Sequence, residues 1–175
     1  MKKYGKSIIA LVLICAVVTV MLACVNAITR DRIKENEAAA VSRALLLALP
    51  DGGSFEKLDC SALSLPATVT DVYRGSEGGY VFQMTTVGYS SGMVILCGIS
   101  EEGAVQNALC LSSNETLGKE KTYGASLKET TLTTVDSVDA VSGATKTTVA
   151  YRNAVKDALT AFEAMAAQQR GGEAS

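Results

Sequence analysis

Apolar and polar positions divide the chain into stretches with different periods. From Ser7 to Thr29, SIIALVLICAVVTVMLACVNAIT, no residue is charged and only Ser7, Thr19, Asn26 and Thr29 are polar. At a rise of about 1.5 Å per residue this run covers the roughly 30 Å hydrocarbon core of a bilayer, which predicts a transmembrane helix. A cleaved signal peptide would have an apolar region of only about 7 to 15 residues. Ala23-Cys24 resembles a lipoprotein cleavage box only faintly, because Leu22 stands where a small residue is expected. Beyond the span, Ile33, Ala40, Val41, Ala44, Leu45 and Leu47 to Leu49 recur at roughly helical spacing, and Pro50 ends the pattern. The turn-forming cluster Asp51-Gly52-Gly53-Ser54 then breaks the chain.

From Ala67 to about Leu111 the period changes. ATVTDVYR, GYVFQMTTVGY, GMVILCGIS and VQNALCLS are short runs rich in β-branched and aromatic residues, separated by glycine-containing breaks at Gly75 to Gly79, Ser90 to Gly92 and Glu101 to Gly103. They predict a meander of four antiparallel strands, with GMVILCG as an interior strand because it is almost wholly apolar. After TLTTVDSVDAVSGATK, the residues Val149, Val155, Ala158, Leu159, Phe162 and Met165 or Ala166 mark one face of a helix running to about Gln168. The expected fold class is α+β: one transmembrane helix, then a mainly antiparallel sheet packed by helices. The expected boundaries are 1–29 for the tail and anchor, 30–50 for a juxtamembrane helix, 51–168 for the α+β domain and 169–175 for a flexible tail.

Composition removes several function classes. The 175 residues include no histidine and no tryptophan. Without imidazole, Ser-His and Cys-His nucleophile pairs, His-containing zinc sites and His-ligated haem are all excluded. Lys2, Lys3 and Lys6 precede the span, and all 18 acidic residues follow it with 13 of the 16 basic ones. The positive-inside count is nearly balanced across the span, and the short N-terminal tail favours an N-terminus in the cytoplasm. The remainder is an acidic domain on the extracytoplasmic side, which speaks against nucleic-acid binding. Cys15 and Cys24 fall in the span, and Cys60, Cys97 and Cys110 form neither a Cys-x-x-Cys pair nor an even set, so no metal site is expected.

The chemistry concentrates in Asp139-Ala140-Val141-Ser142-Gly143-Ala144-Thr145, just before the last helix. Small residues at 142 to 144 let backbone approach a ligand, and amides at a helix start favour a phosphate. Thr145 adds a hydroxyl able to bond a phosphate or to be esterified by one. On spacing alone, Ser142 could equally be an ordinary N-cap.

The string D-A-V-S-G-A-T resembles the flavinylation motif of the FMN-binding domain of RnfG and NqrC, subunits of ion-translocating redox complexes. The resemblance extends to the N-terminal span, VNAIT-R-x-x-I-x-E-N, Gly88-Tyr89, and Asn114-Glu115-Thr116-Leu117-Gly118 in place of an E-T-P-G-L-G loop, and the chain is most like RnfG. It implies FMN held by a phosphoester on Thr145, with Ser142, Gly143 and Ala144 turning around the phosphate. Asp139 would be read by a flavin transferase, and Glu115 and Thr116 would lie near the flavin ring. Thr147 and Thr148 would be first-turn residues. Leu117 replaces the proline and Lys119-Glu120 the Leu-Gly of that loop. No catalytic residue is expected, since the flavin carries the electrons. The implied partners are the membrane, the flavin transferase and the other subunits of an Rnf-type ferredoxin:NAD oxidoreductase. The alternatives are a stand-alone membrane-tethered FMN carrier and an exported binding module without cofactor.

Overall fold

The computed structural model describes residues 11–23, 26, 40–60 and 65–172. The chain forms two compact units, Met1–Val41 and Ser42–Ser175. In the first, residues 11–23 are helical and exposed, and Thr19 returns its hydroxyl to the Cys15 carbonyl at 2.8 Å. Residues 7–10, 24, 25 and 27–39 of the expected span and juxtamembrane helix lie outside the described residues. Among the described residues no helix is long and apolar enough to cross a membrane.

The second unit is built on an antiparallel meander, β1 (Phe55–Leu58), β2 (Val69–Gly75), β3 (Tyr80–Thr86), β4 (Met93–Ile99) and β5 (Val105–Ser112), paired in chain order. The sheet has five strands where the sequence pattern predicts four. The additional β1, Phe-Glu-Lys-Leu, lacks the β-branched signature and pairs along one edge of β2. Its charged residues suit an edge strand, where they discourage further pairing. β4 lies between β3 and β5 and is buried almost throughout, as its unbroken apolar run predicts.

One helix covers one face of this sheet. Tyr151, Ala154, Val155, Ala158, Leu159, Phe162 and Met165 of α3 (Thr145–Gly172) are buried with Phe82, Met84, Ile95, Cys97 and Ile99 in a single apolar core. The expected face is present, with Tyr151, Ala154 and Ala161 added and Val149 only half-buried. Residues 40–48 are helical (α1), and Leu45, Ala48 and Leu49 are buried. A Cβ at Gly98 would lie 2.1 Å from the Ala48 carbonyl oxygen, so β4 needs glycine there to admit this backbone. Between β5 and α3 run the short helix α2 (Glu120–Tyr123) and 3-10 turns at Gly124–Leu127 and Val135–Ser137.

Candidate functional site

The site is assembled where α3 begins, beside the β3–β4 turn and the segment after β5. Ser142 and Gly143 form a turn closed by the Ala144 amide on the Val141 carbonyl at 3.0 Å. Gly143 has φ +81, which a side chain would make costly, and a Cβ there would meet nothing within 4 Å. This glycine therefore serves conformation, not close packing within the chain. The helical ladder opens with the Thr148 amide on the Ala144 carbonyl at 3.0 Å. The amides of Thr145, Lys146 and Thr147 precede that bond, as the first amides of any helix do.

Three threonines of this turn have different surroundings. Thr148 is fully buried; its hydroxyl donates to the Ala144 carbonyl at 3.1 Å and accepts from the Val141 amide at 3.1 Å. Thr147 is buried and donates to Glu115 Oε2 at 2.5 Å. Thr145 is exposed. The N-capping alternative for Ser142 is not realised: α3 starts three residues later, and the hydroxyl that closes back on the motif belongs to Thr148.

Glu115 ties the site together. While Oε2 receives the Thr147 hydroxyl, Oε1 accepts the Ser90 amide at 2.9 Å, so one carboxylate joins the β3–β4 turn to the first turn of α3. Gly88 makes this possible, because a Cβ there would lie 2.6 Å from Glu115 Oε1 and 3.1 Å from Thr147 Cα. Charged hydrogen bonds of this kind contribute roughly 1.5–3 kcal/mol each when buried, and less at this half-buried position.

These elements enclose a cavity of about 430 Å³, lined by residues from three segments: Tyr89; Glu115, Thr116, Leu117, Lys119 and Glu120; and Gly143 to Thr147. That volume falls within the roughly 300–1,000 Å³ typical of small-molecule sites. Tyr89 is 70% exposed and Leu117 62%, which leaves two large apolar side chains at the rim. Glu120 is the opposite case, only 1% exposed; its Oε1 accepts the Ser113 hydroxyl at 2.7 Å, and Oε2 has no partner among the described residues. A larger space of about 640 Å³ lies along β1 and β2, bounded by Cys60 and Leu65 on either side of residues 61–64, and holds none of the motif residues.

Of the residues singled out from the sequence, Thr145, Gly143, Ala144, Glu115 and Thr116 line one cavity. Ser142 and Asp139 do not; both are exposed outside it. The Asp139 carbonyl accepts the Tyr123 hydroxyl at 3.2 Å, and Arg152 donates to the Val138 carbonyl at 2.7 Å, so the stretch of backbone leading into the motif is fixed. Burial raises the Tyr123 hydroxyl above its ordinary pKa, which keeps it a donor. Tyr89, Lys146 and Glu120 also line the cavity, a placement to which no sequence spacing assigns them.

The cavity chemistry suits a phosphorylated, partly aromatic ligand. Amides at the start of a long helix and the nearby Lys119 and Lys146 favour a phosphate, and the rim offers apolar faces to a ring. Among the described residues there is no group of three or more His, Cys, Asp and Glu able to hold a metal ion.

Comparison with known proteins agrees with this reading of the site. Residues 88–160 match the FMN-binding domain family, and residues 1–46 match the RnfG N-terminal region. Over 183 aligned residues the chain is 26% identical to the RnfG-type subunit of the Na(+)-translocating ferredoxin:NAD(+) oxidoreductase complex of Acetobacterium woodii, an alignment covering 87% of this chain and 88% of that protein. All the cavity-lining residues fall inside the FMN-binding match. With both matches in one chain, in the order and over the length of that relative, the protein belongs to the RnfG-type FMN-binding family.

Proposed function

We propose that this protein is the membrane-anchored electron-transfer subunit of an Rnf-type ion-translocating ferredoxin:NAD oxidoreductase complex, and that it carries FMN as a phosphoester on Thr145. The observation that carries this reading is the contrast within one helical turn. Thr147 and Thr148 are buried and spend their hydroxyls on Glu115 and Ala144, whereas Thr145 is exposed at the cavity. A modifying enzyme can reach only a hydroxyl that is exposed.

The residues of the chain then have separate tasks. The first amides of α3 and the positive end of its dipole face the phosphate, an interaction worth roughly 0.3–1 kcal/mol from the dipole alone at an exposed site. Lys119 and Lys146 supply positive charge around the same cavity. Glu115 holds the Gly88–Ser90 turn against the helix and so sets the width of the opening. Tyr89 and Leu117 offer apolar surface to the ring. The isoalloxazine supplies the electron chemistry, which is why no acid, base or nucleophile of the protein is required. In esterification Thr145 Oγ1 gives up its proton and bonds to phosphorus while the bond from that phosphorus to the leaving group of the flavin donor breaks; the product is the chain plus FMN less one water, and the cofactor can no longer diffuse away.

The same reading places the anchor at residues 7–29, the N-terminus in the cytoplasm and the domain of residues 51–168 on the extracytoplasmic side. Asp139, exposed beside the motif and outside the cavity, is available to a flavin transferase before the site is filled. The other subunits of the complex are the electron partners. Expression of the full chain in membranes with a flavin transferase, read by intact mass and in-gel flavin fluorescence, tests the proposal. The expected result is a mass gain of FMN less one water, lost in Thr145→Ala; an unmodified wild-type chain beside a control domain flavinylated in the same cells would contradict it.

A further inference from the structure

Among the described residues that line the cavity, Glu120 is a buried acid whose chemistry the flavin attachment leaves unexplained. It begins α2, is only 1% exposed, and lines the cavity beside Lys119. Only half of its carboxylate is satisfied: Oε1 receives the Ser113 hydroxyl at 2.7 Å, while Oε2 is buried with no partner among the described residues. Leaving a buried polar group unpaired costs roughly 1–3 kcal/mol, and more when it is charged. A position on a four-residue helix could be filled by any small or apolar residue without that cost. Its presence in a cavity wall points to a donor that arrives with the ligand.

We propose that Glu120 is a positioning residue for the cofactor: Oε2 accepts a hydrogen bond from an N–H or O–H of the FMN held at Thr145, and the carboxylate's charge makes the flavin harder to reduce. The inference rests on the FMN reading above. A metal ion is a poor alternative occupant, because Lys119 and Lys146 line the same space and no second carboxylate is free to share it; both oxygens of Glu115 are already bonded. Flavin donors are of two kinds, ring N–H and ribityl O–H, and the two predict different readouts. A ring donor moves both the potential and the flavin absorption bands. A ribityl donor moves the potential through charge alone and leaves the bands in place.

The test uses the full chain in membranes, with and without flavin transferase, as wild type and Glu120→Gln. The amide keeps an acceptor for Ser113 and removes the charge. Flavin-free Glu120→Gln is expected to be at least as heat-stable as flavin-free wild type, and the loaded samples are compared at equal flavin per folded molecule. Once loaded, its reduced-to-oxidised ratio at a fixed applied potential should rise about tenfold, equivalent to about 59 mV for a one-electron step. Its gain in Tm on flavin loading should be smaller than that of wild type. A purely structural Glu120 would lower Tm equally with and without flavin and leave the potential unmoved, and that result overturns the proposal. Should Glu120→Gln not fold, Glu120→Asp retains the charge while withdrawing the oxygen; it should keep the potential and lose the extra Tm gain, and a potential shifted as far as expected for Gln would overturn the charge assignment. A wild-type chain that takes up no flavin beside a loaded control is a separate outcome, which rejects the FMN reading itself.

Discussion

The first turn of α3 and the body of the same helix are built on opposite principles. From Tyr151 to Met165 the buried positions are apolar or aromatic and pack on β3 and β4, so this stretch is held by area removed from water. From Thr145 to Thr148 the buried positions are threonines, and they are held by directed bonds to Val141, Ala144 and Glu115. Apolar packing tolerates small shifts. A hydrogen-bonded turn fixes one backbone path, and it thereby fixes which hydroxyl is presented. The body anchors the helix, and the turn decides that Thr145 is its exposed threonine.

The two regions should fail differently. Leu159 is 1% exposed in the helix body, and Leu159→Ala should cost about 2–5 kcal/mol, seen as a lower urea midpoint, with flavin attachment lost only in proportion to unfolded protein. Thr148→Val removes a donor to Ala144 and an acceptor for Val141, for about 1–3 kcal/mol. Here attachment should fall by more than the loss of folded protein explains, because the motif turn is released while the core remains. Measuring flavin per folded molecule separates the two variants, and equal ratios would erase the distinction. The smallest effect at neutral pH comes from the core's own titratable groups. Burial pushes the Cys97 thiol up to about 12 from an ordinary value near 9, and it raises Tyr151 as well. Both are held neutral by the fold, so stability is complete below about pH 9 and is lost as pH climbs from there towards 12. Urea midpoints should be flat around neutrality and fall at alkaline pH, and native Cys97 should resist thiol reagents at mildly alkaline pH.

How far these regions could be read from the sequence follows from the range of their contacts. The helix body was legible because its period is local: Val155, Ala158, Leu159, Phe162 and Met165 repeat at helical spacing and are buried. The four main strands were legible for the same reason, with β5 matching VQNALCLS residue for residue. β1 was not, since its formation depends on β2 rather than on its own Phe-Glu-Lys-Leu. Small residues before Thr145 pointed correctly to the start of a helix, but capping by Ser142 and by Thr148 predict nearly the same string. Only the fold shows the bond from the Val141 amide to Thr148. Glu115 lines the cavity, and its carboxylate bonds Ser90 and Thr147 across 25 and 32 residues of chain, a bridging role with no local signature. Gly124 is similar: a Cβ there would fall 1.8 Å from the Ala108 carbonyl oxygen, a constraint created wholly by tertiary approach.

The central claim is that, of the three threonines in the first turn of α3, the fold presents the hydroxyl of Thr145 at the cavity and withholds those of Thr147 and Thr148. Its most direct test is to digest the flavinylated full-length protein and locate the FMN by fragment-ion mass spectrometry within the peptide spanning residues 139–152. The account predicts the phosphoester on Thr145, with Ser142, Thr147 and Thr148 unmodified. Flavin on Thr147 or Thr148, whose hydroxyls are buried and bonded here, would contradict it.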